Sequence, residues 1–522
     1  MSRFSAWTRT GEPRNRVVRH ELGVHQLVGA LLVSVTVLVI SFFAVTSVGS
    51  FLTDAPGLLN RDLTRFIVSA SLVGISILGY VAWPSRWNLL AHSQLIFGIV
   101  AYVIPLYYID VSRNVGAGVW DSYARIIGAG FVAALVGVVV SNYSGGWLSG
   151  AASRVAARVQ IATRSGVTSR RVATLLGASI LGLLVSFAVM GFIPALAPDP
   201  YAAKFFRGAY AASYQPVAPL YRASSSLISV LLPLAAVFAW TQRTARWTAL
   251  LGGSVLCMIL TLQRGPAVGG VLLFLGVLAA GRRARMPWYF LALFAVYFLG
   301  SAVYALLNAL GFGAYGQASS MNFIESVAAG APDIADQLAF MTRWLADPVY
   351  SDGRTFVGGL VPGNYEWNPS VWTLSITNPG VDVAAISSGG YRLPPQVWGM
   401  VSFGWVGVFA VSLLYGWALG RLTRTMRQVI PSDRIENTVA LFVVIGAAMD
   451  LFTRFYAMSY IMLVQLAAVL FAVGVVAAAG GNLPGDERNL TQSQRGGARS
   501  KLVRSSLDRQ PTAVPMTHKG DS

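Results

Sequence analysis

Uninterrupted apolar runs of about 20 residues recur along most of this chain, and a helix needs a run of that length to cross roughly 30 Å of hydrocarbon. Hydrocarbon offers no water to backbone N–H and C=O groups, so each run must satisfy its own polar groups as a helix. A membrane barrel would show short alternating segments instead. With 55% hydrophobic and 11% charged residues, the chain reads as an all-α, polytopic transmembrane helical bundle. About twelve spans are predicted, near 27–48, 66–83, 88–108, 124–142, 172–195, 223–240, 246–263, 266–281, 287–311, 398–420, 436–456 and 458–480. The first run is long and lacks a small-residue cleavage site, so it is expected to stay as a span. Cys257, the sole cysteine, lies inside an apolar run, which removes disulfide frameworks and cysteine metal sites.

The formal charge of +18 would by itself suggest a nucleic-acid partner, but its placement argues otherwise. Taking alternate connections together with both termini collects 27 of the 39 Lys and Arg residues, and only 8 of the 21 Asp and Glu residues, on one side. Arg86, Arg154, Arg158, Arg164, Arg170, Arg171, Arg243, Arg246, Arg282, Arg283, Arg285, Arg421, Arg424, Arg427 and Arg434 belong to that side, which the positive-inside bias assigns to the cytoplasm. The expected organisation is a basic cytoplasmic tail (1–24), a transmembrane domain (25–480) and a disordered cytoplasmic tail (481–522), with the tails attracted to anionic lipid headgroups. The expected location is a bacterial cytoplasmic (inner) membrane. The four histidines are scattered, and no DxD motif offers a carboxylate pair to a divalent ion, so neither a metal site nor a cofactor is predicted.

Arg264, in "TLQRGPAV" (261–268), falls in a tight hairpin on the opposite, external side. Beside a helix N-terminus its guanidinium makes a competent anion site; the other reading is an arginine that snorkels to headgroup phosphates. The connection between the ninth and tenth spans, 312–397, is about 85 residues long, and a loop of that size usually has a function. It carries Arg343, Arg354 and Arg392, seven carboxylates including Asp347 and Asp352, and aromatics including Trp344 and Trp367. "AFMTRWLAD" (339–347) reads as a turn or two of helix. A second external segment, 198–222, adds Lys204, Arg207, Arg222 and four tyrosines. Arginines grip phosphate by forked hydrogen bonds, carboxylates accept a hydroxyl proton, and flat aromatic faces suit sugar rings.

Three stretches resemble the oligosaccharide repeat-unit polymerases, or O-antigen polymerases, multi-span bacterial membrane enzymes. "LTLQRGPAVGGVLLFLGVL" (260–278) is similar to that family's arginine-glycine hairpin between two spans. "DPVYSDGRTFVGGLVPG" (347–363) looks like its Gly-x-Thr loop segment ending in Val-Pro, and "GGYRLPPQVWGMVSFGWVGVFAVSLLYGWALGRL" (389–422) resembles the loop end that enters the next span through Phe-Gly-x-x-Gly. The family often has an arginine directly after Val-Pro, whereas Gly363 and Asn364 follow Pro362 here, so no arginine carries over to that place.

The resemblance implies a polyprenyl-diphosphate-linked oligosaccharide as substrate. Its reducing end would pass to a hydroxyl of a second lipid-linked unit at the outer face of the membrane. Membrane lipids, and flippase and chain-length regulator proteins, would be its partners, and nucleic acid would not. Such a transfer needs cations at the departing diphosphate and a base at the acceptor. Arg264 and Arg392 are assigned to the diphosphate, with Arg354, Arg343, Arg207 and Arg222 as further candidates. Asp352 or Asp347 is assigned to the acceptor hydroxyl, and Trp344 and Trp367 to sugar contacts. Two rivals remain. A polyprenyl-monophosphate-sugar-dependent glycosyltransferase would show an acidic pair in the first external loop, where only the separated Asp54 and Asp62 occur. A lipid-linked glycan transporter or flippase would show internal repeats and mid-membrane charges. Asp450 and Arg454 are the only internal charge pair expected.

Overall fold

The computed structural model describes residues 61–108, 115–143, 147–262, 264–299, 333–362, 365–380, 390–430, 432 and 434–475. The predicted run 27–48, both tails, Asp54 and the first part of the large loop lie outside the described residues. The chain divides after Val475, and everything below belongs to the first unit.

Among the described residues the protein is helical, and its only β-type pairing is an isolated bridge between Gly359 and Ser459. Among the described residues seven helices are long and apolar enough to cross a membrane. In chain order the helices are α1 (Arg61–Ala82), α2 (Leu89–Gly98, continued through a π turn at Ile99–Val103), α3 (Ala117–Val140), α4 (Trp147–Arg164), α5 (Val167–Met190), α6 (Pro200–Lys204) and α7 (Ala209–Tyr214). Then follow α8 (Ala218–Gln242), α9 (Ala245–Leu260), α10 (Arg264–Ala280), α11 (Met286–Leu299), α12 (Asp333–Ala346), α13 (Arg354–Gly358), α14 (Pro369–Thr377), α15 (Pro395–Val429), α16 (Ile435–Thr453) and α17 (Tyr460–Ala472).

Small residues set the packing. Lipid tails are as apolar as leucine, so helices associate where small side chains let their backbones approach. Along α3 and α15 that approach is continuous and parallel. A Cβ on Gly416 would lie 1.9 Å from Ala134 O, one on Gly137 would lie 2.1 Å from Leu413 O, and one on Gly420 would lie 2.3 Å from Ser141 Oγ. Gly416 and Gly420 are spaced as a small-xxx-small pair. At the end of this seam Arg424 donates to Ser141 Oγ (2.8 Å) and Val138 O (3.0 Å). The α1–α2 hairpin is closed by buried Asn88, whose side chain accepts from Ala91 N and donates to Gly79 O and Trp83 O, both at 3.0 Å.

Several boundaries differ from the sequence expectation. The predicted span at 398–420 is part of a longer helix, α15, broken at Phe403 and Gly404. Gly404 has φ +61° and ψ −146°, a region open essentially to glycine. The break folds the first turns of α15 back, so that a Cβ on Gly407 would sit 2.0 Å from Gly399 O. A Cβ on Gly404 itself meets nothing within 4 Å, so Gly404→Ala is expected to cost about 1–3 kcal/mol through backbone strain alone. Thermal unfolding against Gly118→Ala, a helical position with equally open surroundings but no unusual torsion, reads that cost directly.

Asp450 and Arg454 are not the only internal charge pair, because α3 starts seven residues earlier than expected and brings in Asp121. Arg125 Nη2 meets Asp121 Oδ2 at 2.6 Å. The Asp450–Arg454 pair (2.9 Å) sits at the end of α16, with Arg454 as its C-cap and the arginine side chain 58% exposed. Both pairs are i,i+4 neighbours on one helix, the spacing at which such pairs meet. The basic connection 143–171 contains a full helix, α4, whose Val159 and Ala162 are buried and whose Thr163 hydroxyl bonds the Asn437 side chain. The turn or two expected at 339–347 belongs to the 14-residue α12.

Contacts sort the connections onto two ends. At one end Arg424 meets Ser141, Gln242 Nε2 donates to Ser169 Oγ (3.0 Å), Arg158 donates to Val475 O (3.2 Å) and Arg171 donates to Phe471 O (2.9 Å). At the other end the segments 198–222, 261–262, 333–362, 365–380, 390–395 and 454–460 gather.

Candidate active site

At this second end a cavity of about 290 Å³ opens beside the first turns of α8. The region around α6 and α7 supplies Lys204, Phe206 and Tyr214, α8 supplies Tyr221 and Arg222, and Thr261 and Ile461 come from the end of α9 and the start of α17. Its volume is near the lower bound for small-molecule pockets. Two cations line it and no carboxylate does, so among the described residues its field favours an anion.

The cations are held by aromatic groups. Arg222 Nε donates to Tyr214 Oη at 2.7 Å, the guanidinium carbon lies 5.6 Å from the Tyr214 ring centroid, and the Tyr460 hydroxyl bonds the same guanidinium. Tyr214 stacks on Phe206 at 3.6 Å, Tyr221 meets both rings edge-on, and its hydroxyl bonds Thr261. Phenols satisfy guanidinium donors without cancelling the charge. Lys204 and Arg207 flank the Phe205 ring at 5.1 and 5.4 Å.

The backbone here is strained. Phe206 (φ +51°) and Leu262 (φ +58°) adopt left-handed torsions that bulky side chains avoid, each costing on the order of 1–3 kcal/mol. Phe206 lines the cavity and Leu262 follows Thr261, which also lines it. Such strain persists only where surrounding contacts over-determine it, and it concentrates at functional sites.

A second group lies on the large loop. Arg354 begins α13, is exposed, and places its guanidinium 4.7 Å from the centroid of the half-buried Trp367 ring. Exposed Asp352 (φ +49°) and Gly353 (φ +75°) make the turn before it. The neighbouring residues are structural. Ser351 N donates to Val401 O, its hydroxyl pairs with that of Ser402 at 2.9 Å, and Thr355 Oγ1 donates to Ser351 Oγ at 3.2 Å. A Cβ on Gly358 would lie 2.0 Å from Trp367 O, and one on Gly359 would lie 2.2 Å from Met458 O. The stretch "GRTFVGG" is thus written for a tight loop pinned to its neighbours, with Arg354 its one outward cationic group.

One short strip serves both groups. Met458 N donates to Phe356 O and Tyr460 N to Gly359 O, each at 3.0 Å, while the Tyr460 hydroxyl reaches Arg222 and Ile461 lines the cavity. Arg343 and Asp347 are exposed at the end of α12. Arg392 is exposed too, and its carbonyl accepts from Gln337 Nε2 of the same helix at 3.0 Å.

Two sequence assignments change. Trp344 cannot offer a face to a sugar, because it is 1% exposed and its indole N–H donates to Val349 O at 2.7 Å. The pairing of Arg264 with Arg392 is not established: the Arg264 side chain lies outside the described residues, although its backbone begins α10 three residues after cavity-lining Thr261. Lys204, Tyr214, Thr261 and Tyr460 join the site. Lys204 and Tyr214 had a signal in the basic, tyrosine-rich segment 198–222, whereas Thr261 and Tyr460 are joined only by tertiary packing. Among the described residues no three His, Cys, Asp or Glu side chains come together.

Comparison with protein-family profiles, curated proteins and solved structures finds no match to this chain.

Proposed function

We propose that this protein is a membrane glycosyltransferase of the repeat-unit polymerase type, acting at the outer face of a bacterial cytoplasmic membrane. In this reading the chain crosses about twelve times with both termini in the cytoplasm, and the end that holds the cavity faces outward. The observation that carries the proposal is the cavity, lined by no carboxylate among the described residues, in which Arg222 and Lys204 are presented by aromatic groups.

A polyprenyl-diphosphate-linked oligosaccharide enters with its diphosphate at these cations and the Arg264 hairpin. The acceptor hydroxyl of a second lipid-linked unit attacks the anomeric carbon. A C–O bond forms there, the bond from that carbon to the phosphate oxygen breaks, and the electron pair leaves with the diphosphate. The hydroxyl proton passes to a carboxylate on the loop, Asp352 or Asp347. Cations placed where charge accumulates stabilise the transition state more than the ground state, which is the requirement for rate acceleration. Arg354 and Trp367 provide a charged, flat face for the acceptor glycan.

The test supplies a purified lipid-diphosphate repeat unit to the reconstituted protein and resolves the products by size. A ladder is expected, and Arg264→Ala should slow it by about 100-fold or more. Undiminished ladders in that variant would remove the hairpin from the mechanism. Transbilayer movement of unmodified lipid with no ladder would replace the enzymatic reading by transport.

A further inference from the structure

The loop segment that carries Arg354 meets the end of a membrane-length helix. Along α15, Val406, Phe409 and Leu413 are exposed at spacings of three and four residues, one apolar stripe on a helix long enough to cross a bilayer. On such a helix the exposed apolar stripe faces lipid. Phe403, half exposed at the break, heads the stripe. About 20 residues of helix cover roughly 30 Å, so the stretch from the break to Arg424 accounts for the hydrocarbon thickness and puts Phe403 at its boundary.

The loop packs on that boundary. A Cβ on Gly353 would lie 2.7 Å from Phe403 Cζ, and the Phe356 ring meets Phe403 edge-on at 5.8 Å and Phe455, just beyond α16, at 6.1 Å. Val357 and Val361, next along the loop, are 54% and 45% exposed. Through Phe356 and Phe403 they prolong the apolar surface of α15 onto the loop. The backbone here asks little of water. The N–H groups of Arg354, Phe356, Leu360 and Val361 donate to the carbonyls of Ser351, Gly353, Val357 and Gly358, and the carbonyls of Phe356 and Gly359 accept from Met458 and Tyr460. Backbone groups left unsatisfied are costly where water is scarce, and here they are paired. Exposed Tyr350 and Tyr365 and half-buried Trp367 flank the segment, and these are the residue types that collect where hydrocarbon meets headgroups.

We infer that the loop segment 357–361 is seated in the lipid leaflet at this end of the bundle, with Val357 and Val361 against the headgroup-proximal part of the acyl chains and the flanking aromatics at headgroup level. The partner is the bilayer itself. A protein partner would have to present an apolar patch at the same depth, whereas lipid already covers the adjoining stripe of α15. Arg354, one turn before Val357, has a stem long enough to keep its charge at the headgroups while the valines lie below them. The inference does not depend on the transfer reaction.

The full-length protein carrying Cys257→Ala, which removes the buried native thiol, receives one cysteine at a time: Val357→Cys, Val406→Cys on the lipid-facing stripe, or Ser165→Cys in the exposed turn between α4 and α5. Each is labelled with a small fluorophore and placed in phosphatidylcholine nanodiscs. Lipid bearing a nitroxide near the carboxyl end of an acyl chain should quench the Val357 label as fully as the Val406 label. Aqueous iodide should quench the Ser165 label and leave the Val357 label nearly unchanged. A nitroxide near the methyl end of the chain should quench the Val357 label less. Iodide quenching at Val357 equal to that at Ser165 puts the segment in water, resistance to both quenchers puts it under protein, and either result overturns the inference. Equal or greater loss to the deeper nitroxide overturns the placement at the boundary. Val361→Cys, labelled in the same way, decides the matter should Val357→Cys fail to fold.

Discussion

Arg222→Ala is expected to lower polymer formation from a lipid-diphosphate oligosaccharide by about 10²–10³-fold, the range seen when one preorganised charge-stabilising donor is removed. Arg222 is held by the hydroxyls of Tyr214 and Tyr460 and lines the cavity together with Lys204. Truncation leaves two phenols where a diphosphate would develop charge, and only one described cation beside them. The loss should fall mainly on kcat, because the charge matters most as the diphosphate departs. Arg222→Lys should recover little, since an ammonium cannot donate to Tyr214 while presenting a fork to phosphate. Ladder formation with labelled repeat units, alongside an unfolding curve for each variant, separates catalysis from folding. A folded Arg222→Ala protein that polymerises at the wild-type rate would remove the cavity from the reaction.

Gly416→Val should be the most damaging single change to the fold, destabilising it by about 3 kcal/mol or lowering the yield of folded protein outright. The new Cβ would lie 1.9 Å from the Ala134 carbonyl oxygen and 2.6 Å from its carbon. Those are backbone atoms, which cannot rotate away as a side chain can. Relief requires separating α3 from α15, and the same separation would strip Arg424 from Ser141 and Val138. Gly446→Val in α16 is the matched reference, because nothing lies within 4 Å of a Cβ there. Equal melting temperatures for the two variants in detergent would show that the seam does not hold the bundle together.

The helical, membrane-crossing character was legible because hydrocarbon permits few backbone solutions and the run lengths state which one applies. Helix ends were less so. The start of α3 was missed because Asp121 read as a loop residue until its pairing with Arg125 shows that one helix carries both. The fold-back in α15 was written in Phe403–Gly404 and in the spacing of Gly399 and Gly407, but glycine torsions are invisible in a hydropathy pattern. For the candidate site, residue types pointed to segments that the fold gathers at one end without choosing within them. Arg222 is distinguished from Arg207 by the Tyr214 and Tyr460 hydroxyls, and Tyr460 lies more than 230 residues away in sequence. Trp344 shows the opposite failure, an aromatic that composition offers as a sugar platform and that packing consumes.

The attachment of the loop segment 356–359 to the strip 458–460 runs through main-chain N–H and C=O groups. Main-chain pairing reads almost nothing of side-chain identity beyond the glycines that permit the approach. Residues projecting from the loop, such as Tyr365, Glu366 and Trp367, can therefore drift without unfastening it. Separation of anchorage from display lets the exposed residues of the loop change while its fastening stays constant.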